Sequence, residues 1–226
     1  MNLRPSALAC LVLLLIFAAE AHGGFTTWNP TPMPSEMDLD EMLDHLYGLQ
    51  NLRQIDDFGP GAKDQLWSNL GASVTLKARY AAYSQTFGYL RGESSHIFDP
   101  LFTATQDGFL SGVSATFSPA QSGEIFRFAN KSSGAPIWSS KIANNTDGRD
   151  HMVTFEIVGT DAAHAGNEIG HYVLAWEDMR NLGDVDYNDL LVEVSGVEPI
   201  PEPATLTLFG LGAAGLITRR IRRRRP

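Results

Sequence analysis

Cysteine is almost absent from this chain of 226 residues. The single one, Cys10, lies within an apolar stretch from Ala7 to Ala19, in a segment whose pattern predicts removal on export. The rest of the chain contains no cysteine, which excludes disulfide bonds, thiolate metal sites and a cysteine nucleophile from the mature protein.

Sequence signatures of catalysis are also missing. The chain has no Gly-x-Ser-x-Gly nucleophile elbow and no His-Glu-x-x-His zinc motif, and its six histidines are scattered singly. A Gly-x-Gly-x-x-Gly pattern at Gly210–Gly215 lies in an apolar tail with no acidic residue after it, so it does not predict a dinucleotide site. We therefore expect no enzyme.

Basic residues are scarce in the central part of the chain. Of 17 Lys and Arg residues, seven lie in the two terminal segments, which contain only Glu20 of the 26 Asp and Glu residues. The part between them carries 10 basic and 25 acidic residues, a net charge of about −15. This charge argues against nucleic acid as a partner and is compatible with cations, a hydrated extracellular matrix or simple solubility.

The first 21 residues have the organisation of a secretory signal peptide. Arg4 precedes the apolar stretch, and Ala19-Glu20-Ala21 places small residues at the two positions that signal peptidase requires. We predict cleavage after Ala21. Residues 22–34 are expected to form a linker, because prolines at positions 30, 32 and 34 favour an extended chain.

The C-terminus combines three features in order. The tripeptide Pro201-Glu202-Pro203 ends a predicted linker, 197–203, and an apolar segment, 204–218, follows it. The chain ends in an arginine-rich tail, 219–226, which contains Arg219, Arg220, Arg222 and Arg223. Fifteen helical residues span about 22 Å, less than a hydrocarbon core of roughly 30 Å, so we expect transient insertion into the inner membrane. A permanent single-span anchor is the alternative.

These C-terminal features resemble the PEP-CTERM sorting signals of Gram-negative exported proteins. The resemblance implies cleavage near the tripeptide by an exosortase-type membrane enzyme, in species that make extracellular polysaccharide. It implies a mature protein at the cell surface or in the extracellular matrix, reached through an inner-membrane intermediate. Signal peptidase, the exosortase-type enzyme and extracellular polysaccharide are therefore the expected partners.

Residues 35–196 are expected to form one domain. A short amphipathic helix is predicted to begin after an N-cap at Ser35 and to end near Gly48, because apolar residues recur at helical spacing at Leu39, Met42, Leu43 and Leu46. Short strands are predicted at Ser73–Tyr80, Gly88–Arg91, Gly108–Phe117, Glu124–Ala129, Ile137–Ile142, His151–Val158, Tyr172–Trp176 and Leu190–Val194. We predict a mainly β fold, an antiparallel β-sandwich or jelly roll with this helix packed on it.

An acidic loop between the last two predicted strands is the strongest candidate site. Five carboxylates and an asparagine lie close together in this one stretch of sequence, at Glu177, Asp178, Asp184, Asp186, Asn188 and Asp189. Such hard oxygen ligands suit Ca²⁺, and five carboxylates this close repel unless a cation joins them or they turn into solvent. The alternative is turn chemistry, in which Asp and Asn side chains accept hydrogen bonds from neighbouring backbone N–H groups.

The same region resembles a bacterial domain of unknown function, number 4114, that is often found upstream of PEP-CTERM tails. The resemblance rests on Tyr172–Val194, with Glu177-Asp178, the Gly183-Asp184 turn and Asp186-Tyr187-Asn188-Asp189. It implies a β-rich extracellular domain and cation binding at Asp184, Asp186 and Asp189, and it brings no established activity.

Three functions follow as hypotheses. The first is a non-catalytic exported protein of the cell surface, extracellular matrix or biofilm, with a calcium site in the acidic loop. The second is a calcium-dependent carbohydrate-binding module that would stack sugars on exposed aromatic residues such as Trp138, Tyr83 or Tyr89. The third is a glycoside hydrolase, for which Glu177 and Asp178 would supply paired carboxylates in a concave pocket.

Overall fold

The computed structural model describes residues 36–55, 64–118 and 124–200. It contains one α-helix, α1, at Leu39–Tyr47, and three single-turn 3₁₀ segments at Leu49–Asn51, Ile142–Asn144 and Arg180–Leu182. The strands are β1 (Leu52–Gln54), β2 (Trp67–Arg79), β3 (Gln85–Arg91), β4 (Phe98–Ala104), β5 (Gly108–Phe109), β6 (Ser114–Phe117), β7 (Phe126–Ser132), β8 (Ile137–Ser139), β9 (Met152–Ile157), β10 (Tyr172–Trp176) and β11 (Leu190–Pro199).

The helix α1 begins and ends at residues that satisfy its terminal backbone groups. Asp38 is the N-cap, and its Oδ1 accepts a hydrogen bond from the backbone N–H of Asp40 at 2.8 Å. At the other end Gly48 has φ = +71°, and its N–H donates to the carbonyl oxygen of Asp44 at 2.9 Å. Ser35, the predicted N-cap, lies outside the described residues, and the helix starts one turn later than the pattern predicts.

All the strands belong to one antiparallel sheet. The order along it is β1-β9-β10-β11-β2-β7-β3-β4, while β5 and β6 pair with β2 and β8 pairs with β7. The long strand β2 links the two halves of this order. It pairs with β11 along most of its length but meets β7 only at Trp67, which is opposite Phe126.

The sheet folds over on itself at β2 and forms a sandwich. Phe87 of β3 lies against Trp176 of β10, with ring centroids 6.2 Å apart, although three strands separate β3 from β10 in the sheet order. Between the two layers lies an aromatic core that includes Trp67, Phe87, Phe126, Phe128, Trp138 and Trp176. The predicted fold class, mainly β with an antiparallel sandwich and a short N-terminal helix, is confirmed.

A second apolar core lies on the outer face of the β1-β9-β10-β11 layer. The helix α1 covers this face, and its residues Leu39, Met42 and Leu43 belong to the same cluster as Val153 and Phe155 of β9. Because of this cover, β9 is buried on both faces, whereas its alternating sequence predicts one buried face only. The prediction underestimated how much of the sheet the helix protects.

Strand boundaries differ from the predicted ones at several places. The short strand β1 and the edge strand β4 were not predicted, and Gly108–Phe117 is two strands separated by a turn. The last strand, β11, continues to Pro199, three residues into the predicted linker 197–203. The reason is continued pairing with β2 after a bulge, with Val197 opposite Asn69 and Pro199 opposite Trp67.

The terminal segments predicted from the sequence lie outside the described residues. These are the signal peptide at 1–21, the linker at 22–34, the apolar segment at 204–218 and the arginine-rich tail at 219–226. Within residues 36–55, 64–118 and 124–200, no helix is both long enough and apolar enough to cross a membrane.

Candidate functional site: the acidic loop

The acidic loop comprises residues 177–189 and connects β10 to β11. Trp176 and Leu190 are paired in the sheet, so the loop leaves and re-enters the same layer at neighbouring positions. Four of its non-glycine residues have positive φ, at Asn181, Leu182, Val185 and Tyr187, with angles of 60°, 69°, 66° and 55°. This backbone costs of order 1 kcal/mol or more per residue, so the side-chain contacts of the loop must hold it in place.

Three carboxylates meet at the base of the loop, and we call Glu177, Asp178 and Asp189 the basal cluster. One oxygen from each lies within 4.8 Å of the others. Glu177 is completely buried and Asp178 is almost so. Glu177 Oε1 accepts the backbone N–H of Met179 at 3.2 Å, whereas Oε2 is buried without a hydrogen-bond partner among the described residues. A completely buried carboxylate oxygen with no donor is costly, so it marks the cluster as incomplete.

Charge repulsion and burial shift the pKa values in the basal cluster. Burial raises the pKa of Glu177 to about 8, and the charges of Asp186, Asp184 and Asp178 add to this effect. Burial and the neighbouring Glu177 raise the pKa of Asp189 well above its usual range. Near neutral pH the three groups can therefore all be ionised only if a cation balances their charge, and without a cation the cluster retains bound protons.

Asp178 and Asp189 are also held by hydrogen bonds. Asp189 Oδ2 accepts the backbone N–H of Asp178 at 2.7 Å, and Asp178 Oδ2 accepts a bond from Gln85 Nε2. Gln85 in turn accepts from Asn130 Nδ2 at 2.9 Å. This chain of buried amides, from β3 and β7, fixes the position of one carboxylate of the cluster.

A second acidic group lies farther out on the loop and includes a residue from the segment before α1. Glu36, Asp184 and Asp186 place one oxygen each within 4.8 Å of the others. Burial and the charge of Asp184 raise the pKa of Asp186 to about 6. Asn188 donates from Nδ2 to Asp186 Oδ2 at 2.9 Å and to the carbonyl oxygen of Met37 at 3.1 Å.

The structure therefore divides the six predicted site residues. Three form the basal cluster, two join Glu36 in the outer group, and Asn188 ties the outer group to the start of the helix. Sequence reasoning missed Glu36, because it lies about 150 positions before the loop and nothing local connects the two.

The backbone of the loop rests on a buried histidine. Nδ1 of His151 lies 2.9 Å from the carbonyl oxygen of Glu177, and Nε2 lies 3.0 Å from Oδ2 of Asp147. Oδ2 of Asp147 also accepts the backbone N–H of Asn181 at 2.8 Å. The N–H groups of Asn181 and Arg149 and the neighbouring His151 outweigh burial and hold the pKa of Asp147 below its usual range. The ring of His151 thus links the backbone of Glu177 to the side chain of Asp147, which in turn holds the backbone of Asn181.

Trp138 completes this support. Its ring stacks on His151 with centroids 3.7 Å apart and planes at 6°, and its Nε1 donates to the carbonyl oxygen of Asp178 at 2.6 Å. His151 itself is completely buried. The sequence signal for this support is that Trp138 and His151 fall in two predicted strands, Ile137–Ile142 and His151–Val158, that both precede the acidic loop.

Gly183 allows the loop to close over Glu177. Its φ is +46°, and a Cβ at this position would lie 2.9 Å from Glu177 Oε1 and 3.0 Å from Met179 Cβ. Any side chain here would push against the buried carboxylate and would also be strained. The glycine in the predicted Gly183-Asp184 turn thus serves the packing of the basal cluster.

The aromatic residues proposed for sugar stacking have different positions. Trp138 and Tyr89 are buried in the inner core, whereas Tyr83 is 50% exposed. Core packing therefore accounts for two of the three, and the described surface has no flat strip formed by these residues.

The fold and the C-terminal motif together define an exported β-sandwich protein. Residues 199–224 match the family model of the PEP-CTERM protein-sorting motif. This match indicates that the chain is exported to the cell envelope or surface. Exosortase-type enzymes generally recognise such motifs. Its Pro201, Glu202, Pro203, Arg219, Arg220, Arg222 and Arg223 lie outside the described residues.

Residues 112–197 match the family model of a domain of unknown function, DUF4114. The matched range runs from the turn before β6 to near the end of β11 and contains the whole acidic loop. Both resemblances predicted from the sequence are confirmed. No curated protein matches the chain.

Two solved lectin structures are similar in part. A Chromobacterium violaceum lectin, CV2L, in complex with alpha-methyl-fucoside, is 17% identical, with a TM-score of 0.35, over 62% of this chain and 99% of that one. A high-affinity mannose-binding lectin of Ralstonia solanacearum is 22% identical, with a TM-score of 0.33, over the same shares of the two chains. At this level of similarity neither lectin is evidence for the ligand of this protein.

Proposed function

We propose that the protein is a non-catalytic component of the cell surface or extracellular matrix whose acidic loop binds Ca²⁺. The observation that carries the proposal is Glu177 Oε2, which is buried without a hydrogen-bond partner in the described part of the chain and lies among two further carboxylates. A cation in contact with this oxygen would supply the partner that the protein does not.

The basal cluster fits calcium better than softer metals. Its ligands are three carboxylates, and Ca²⁺ prefers oxygen ligands, six to eight in number, with flexible geometry. Glu177, Asp178 and Asp189 would hold the ion and give up their protons to it, as ligand carboxylates do. Bound calcium would supply the positive charge that the cluster lacks and would stabilise the strained loop backbone.

The outer group is the second place where this loop would respond to a cation. Glu36, Asp184 and Asp186 connect the loop to the chain before α1. Among the described residues, no oxygen of the outer group is buried without a hydrogen-bond partner, whereas Glu177 Oε2 of the basal cluster is. We therefore assign the tighter binding to the basal cluster.

The proposal includes the cellular route. An exosortase-type enzyme would process the chain near Pro201 after an inner-membrane intermediate, and extracellular polysaccharide would surround the released or attached domain. Its role there would be structural or adhesive. The net charge of about −15 between the terminal segments suits a calcium-rich, hydrated matrix.

Thermal unfolding of the full-length protein with calcium and with chelator tests the site. Free calcium at a hundred times its dissociation constant should add about 2.7 kcal/mol to the stability of the folded state. Glu177→Gln keeps the shape of the side chain and removes its charge. We expect this variant to lose the calcium response and, in chelator, to melt no lower than the wild type.

Glu168→Gln is the matched control, because Glu168 is an exposed glutamate in the β9–β10 connection and lies outside both acidic groups. It should respond to calcium as the wild type does. Melting curves of the wild type that superimpose with and without calcium would refute the site. Hydrogen bonds to backbone N–H groups, together with bound protons, would then account for the carboxylates of the acidic loop.

A further inference from the structure

A polar pocket of about 260 Å³ lies on the outer face of the sandwich, at the end of α1. The last turn of the helix, the β9–β10 connection and the strands β2 and β11 enclose it, and its polar lining includes His45, Tyr47, Lys77, His164, Asn167 and Glu193. Glu193 lies four residues along β11 from Asp189, a separation of about 13 Å in an extended strand. The pocket is therefore distinct from the acidic loop.

Glu193 forms the charged floor of this pocket. Its Oε2 accepts from Tyr47 Oη and from Lys77 Nζ, each at 3.0 Å, and its Oε1 accepts from His171 Nδ1 at 2.7 Å. Burial alone would raise the pKa of Glu193, but the bond from His171 and the charge of Lys77 outweigh it and lower the pKa. The carboxylate of Glu193 therefore stays ionised, and its three hydrogen-bond partners fix its orientation.

The charges that face the pocket balance one another. Lys77 neutralises Glu193, and His164 is paired with Asp161, whose oxygens lie 3.0 Å from its Nδ1. A cationic ligand would meet Lys77, and an anionic ligand would meet Glu193. A neutral ligand with several hydroxyl groups avoids both penalties, because each hydroxyl can donate to the carboxylate or accept from the ammonium group.

The polar groups retain capacity for such a ligand. An ionised carboxylate offers about four acceptor positions, and the protein uses three of those on Glu193. Lys77 has three protons, one of which is directed to Glu193. Asn167 gives its amide protons to the carbonyl oxygens of Tyr47 and Gly159, which orients its own carbonyl oxygen as an acceptor.

The exposed residue His45 lines the pocket at its rim, and its ring contacts that of Phe109. The rings of His45 and Phe109 have centroids 4.5 Å apart with a tilt of 34°, and both side chains are exposed. Aromatic walls beside a few directed polar groups are the usual arrangement of a small-molecule site. A pyranose ring presents hydroxyl groups at its edge and C–H groups on its face, which matches a polar floor with an aromatic rim.

We propose that this pocket binds a single neutral sugar ring and that it does so without calcium. Its volume is just under the roughly 300 Å³ at which pockets for drug-sized ligands begin, so one ring fits and a longer segment would extend past the rim. This inference goes beyond the calcium function and does not depend on it.

Isothermal titration of the full-length protein in chelator tests the inference. The probes are glucose, galactose, mannose and N-acetylglucosamine, with glucuronate and glucosamine as charged analogues. We expect at least one neutral sugar to bind in the millimolar range and both charged analogues to bind more weakly. His45→Ala removes the exposed rim ring and should weaken binding roughly tenfold.

Two further variants make the result specific. His96→Ala removes an exposed histidine from the β3–β4 turn, away from the pocket, and should leave binding unchanged. Glu193→Gln, which keeps the shape of the floor and removes its charge, should reduce binding of the neutral sugar. Absence of binding by all four neutral sugars, tighter binding of a charged analogue, binding that requires calcium, or equal affinities in His45→Ala and the wild type would each overturn the proposal.

Discussion

Nδ1 of His151 lies 2.9 Å from the carbonyl oxygen of Glu177, and the two residues are both completely buried. The histidine belongs to the connection before β9, and the glutamate is the first residue of the acidic loop. The backbone N–H of Glu177 also donates to the carbonyl oxygen of His151 at 3.0 Å, so two hydrogen bonds fix the backbone of this buried acid to a part of the chain 26 positions away.

Replacing His151 should therefore cost more stability than replacing a comparable histidine. His151→Gln removes a buried hydrogen bond to the loop and the stack on Trp138, and we expect a loss of about 1–3 kcal/mol. His171→Gln is the matched control, since its bond to Glu193 is partly exposed, and it should cost less than about 1 kcal/mol. Urea unfolding at pH 7 measures both. Equal losses would show that His151 has no special role in holding the loop.

The stability of the protein in chelator should fall as the pH rises. Glu177 has a pKa of about 8 when folded, against its ordinary value of 4.5, so between these values the folded state holds a proton that the unfolded state has lost. Its contribution is complete below about pH 4.5 and disappears toward pH 8, with a slope of up to about 1.4 kcal/mol per pH unit. The measurement is urea unfolding in chelator, expressed as the difference between wild type and Glu177→Gln. A difference that does not change with pH would contradict the buried-acid description.

A separate set of hydrogen bonds ties the β9–β10 connection to the end of α1. Asp161 accepts from Gln50 Nε2 at 2.5 Å, from Asn51 Nδ2 at 2.7 Å and from the ring of His164. These bonds lower the pKa of Asp161, chiefly through His164 and Asn51, and the bond to Asp161 raises the pKa of His164.

We expect Asp161→Asn to melt at a lower temperature than the wild type near pH 6. The difference in melting temperature between the two proteins should become smaller as the pH rises. The reason is that a histidine with a raised folded pKa stabilises fully below its unfolded value of 6.5, and this contribution is lost as the pH passes the folded pKa. Melting curves from pH 5 to 9 provide the measurement, with Asp99→Asn, whose carboxylate pairs with Arg91, as control. A wild-type and variant difference that grows with pH would refute the assigned sign.

Processing should depend on the tripeptide. In a host with an exosortase-type enzyme, Pro201→Ala combined with Pro203→Ala should leave a larger, membrane-associated precursor, because the recognised motif is lost. Immunoblots of membrane and extracellular fractions measure this. Pro199→Ala, at the end of β11, controls for the loss of a nearby proline and should be processed normally. Normal processing of the double variant would contradict the proposed route.

The sequence predicted the fold class because its strand signals are local. Short apolar runs such as Tyr172–Trp176 coincide with observed strands, and the helix was found from its apolar spacing. The edge strand β4 was missed because Pro100 and polar residues interrupt its pattern, which an edge position tolerates.

The candidate site was only partly predictable for a different reason. The loop carboxylates are close in sequence, so Glu177 and Asp189 could be assigned to one candidate site from their spacing alone. Their division into two groups depends on Glu36, Gln85 and His151, which reach the loop from three other parts of the chain. Long-range contacts of this kind leave no periodic signal in a single sequence.

The path of β11 has a mechanical consequence. The strand lies between β10 and β2 and pairs with both, and just beyond it the N–H of Ile200 donates to the carbonyl oxygen of Leu66 at 2.7 Å. Tension applied to the chain after Ile200 passes directly into this doubly paired strand. Pulling the strand free requires breaking two ladders of hydrogen bonds. A force applied at the C-terminal sorting motif is therefore borne by the centre of the sandwich and not by its edge.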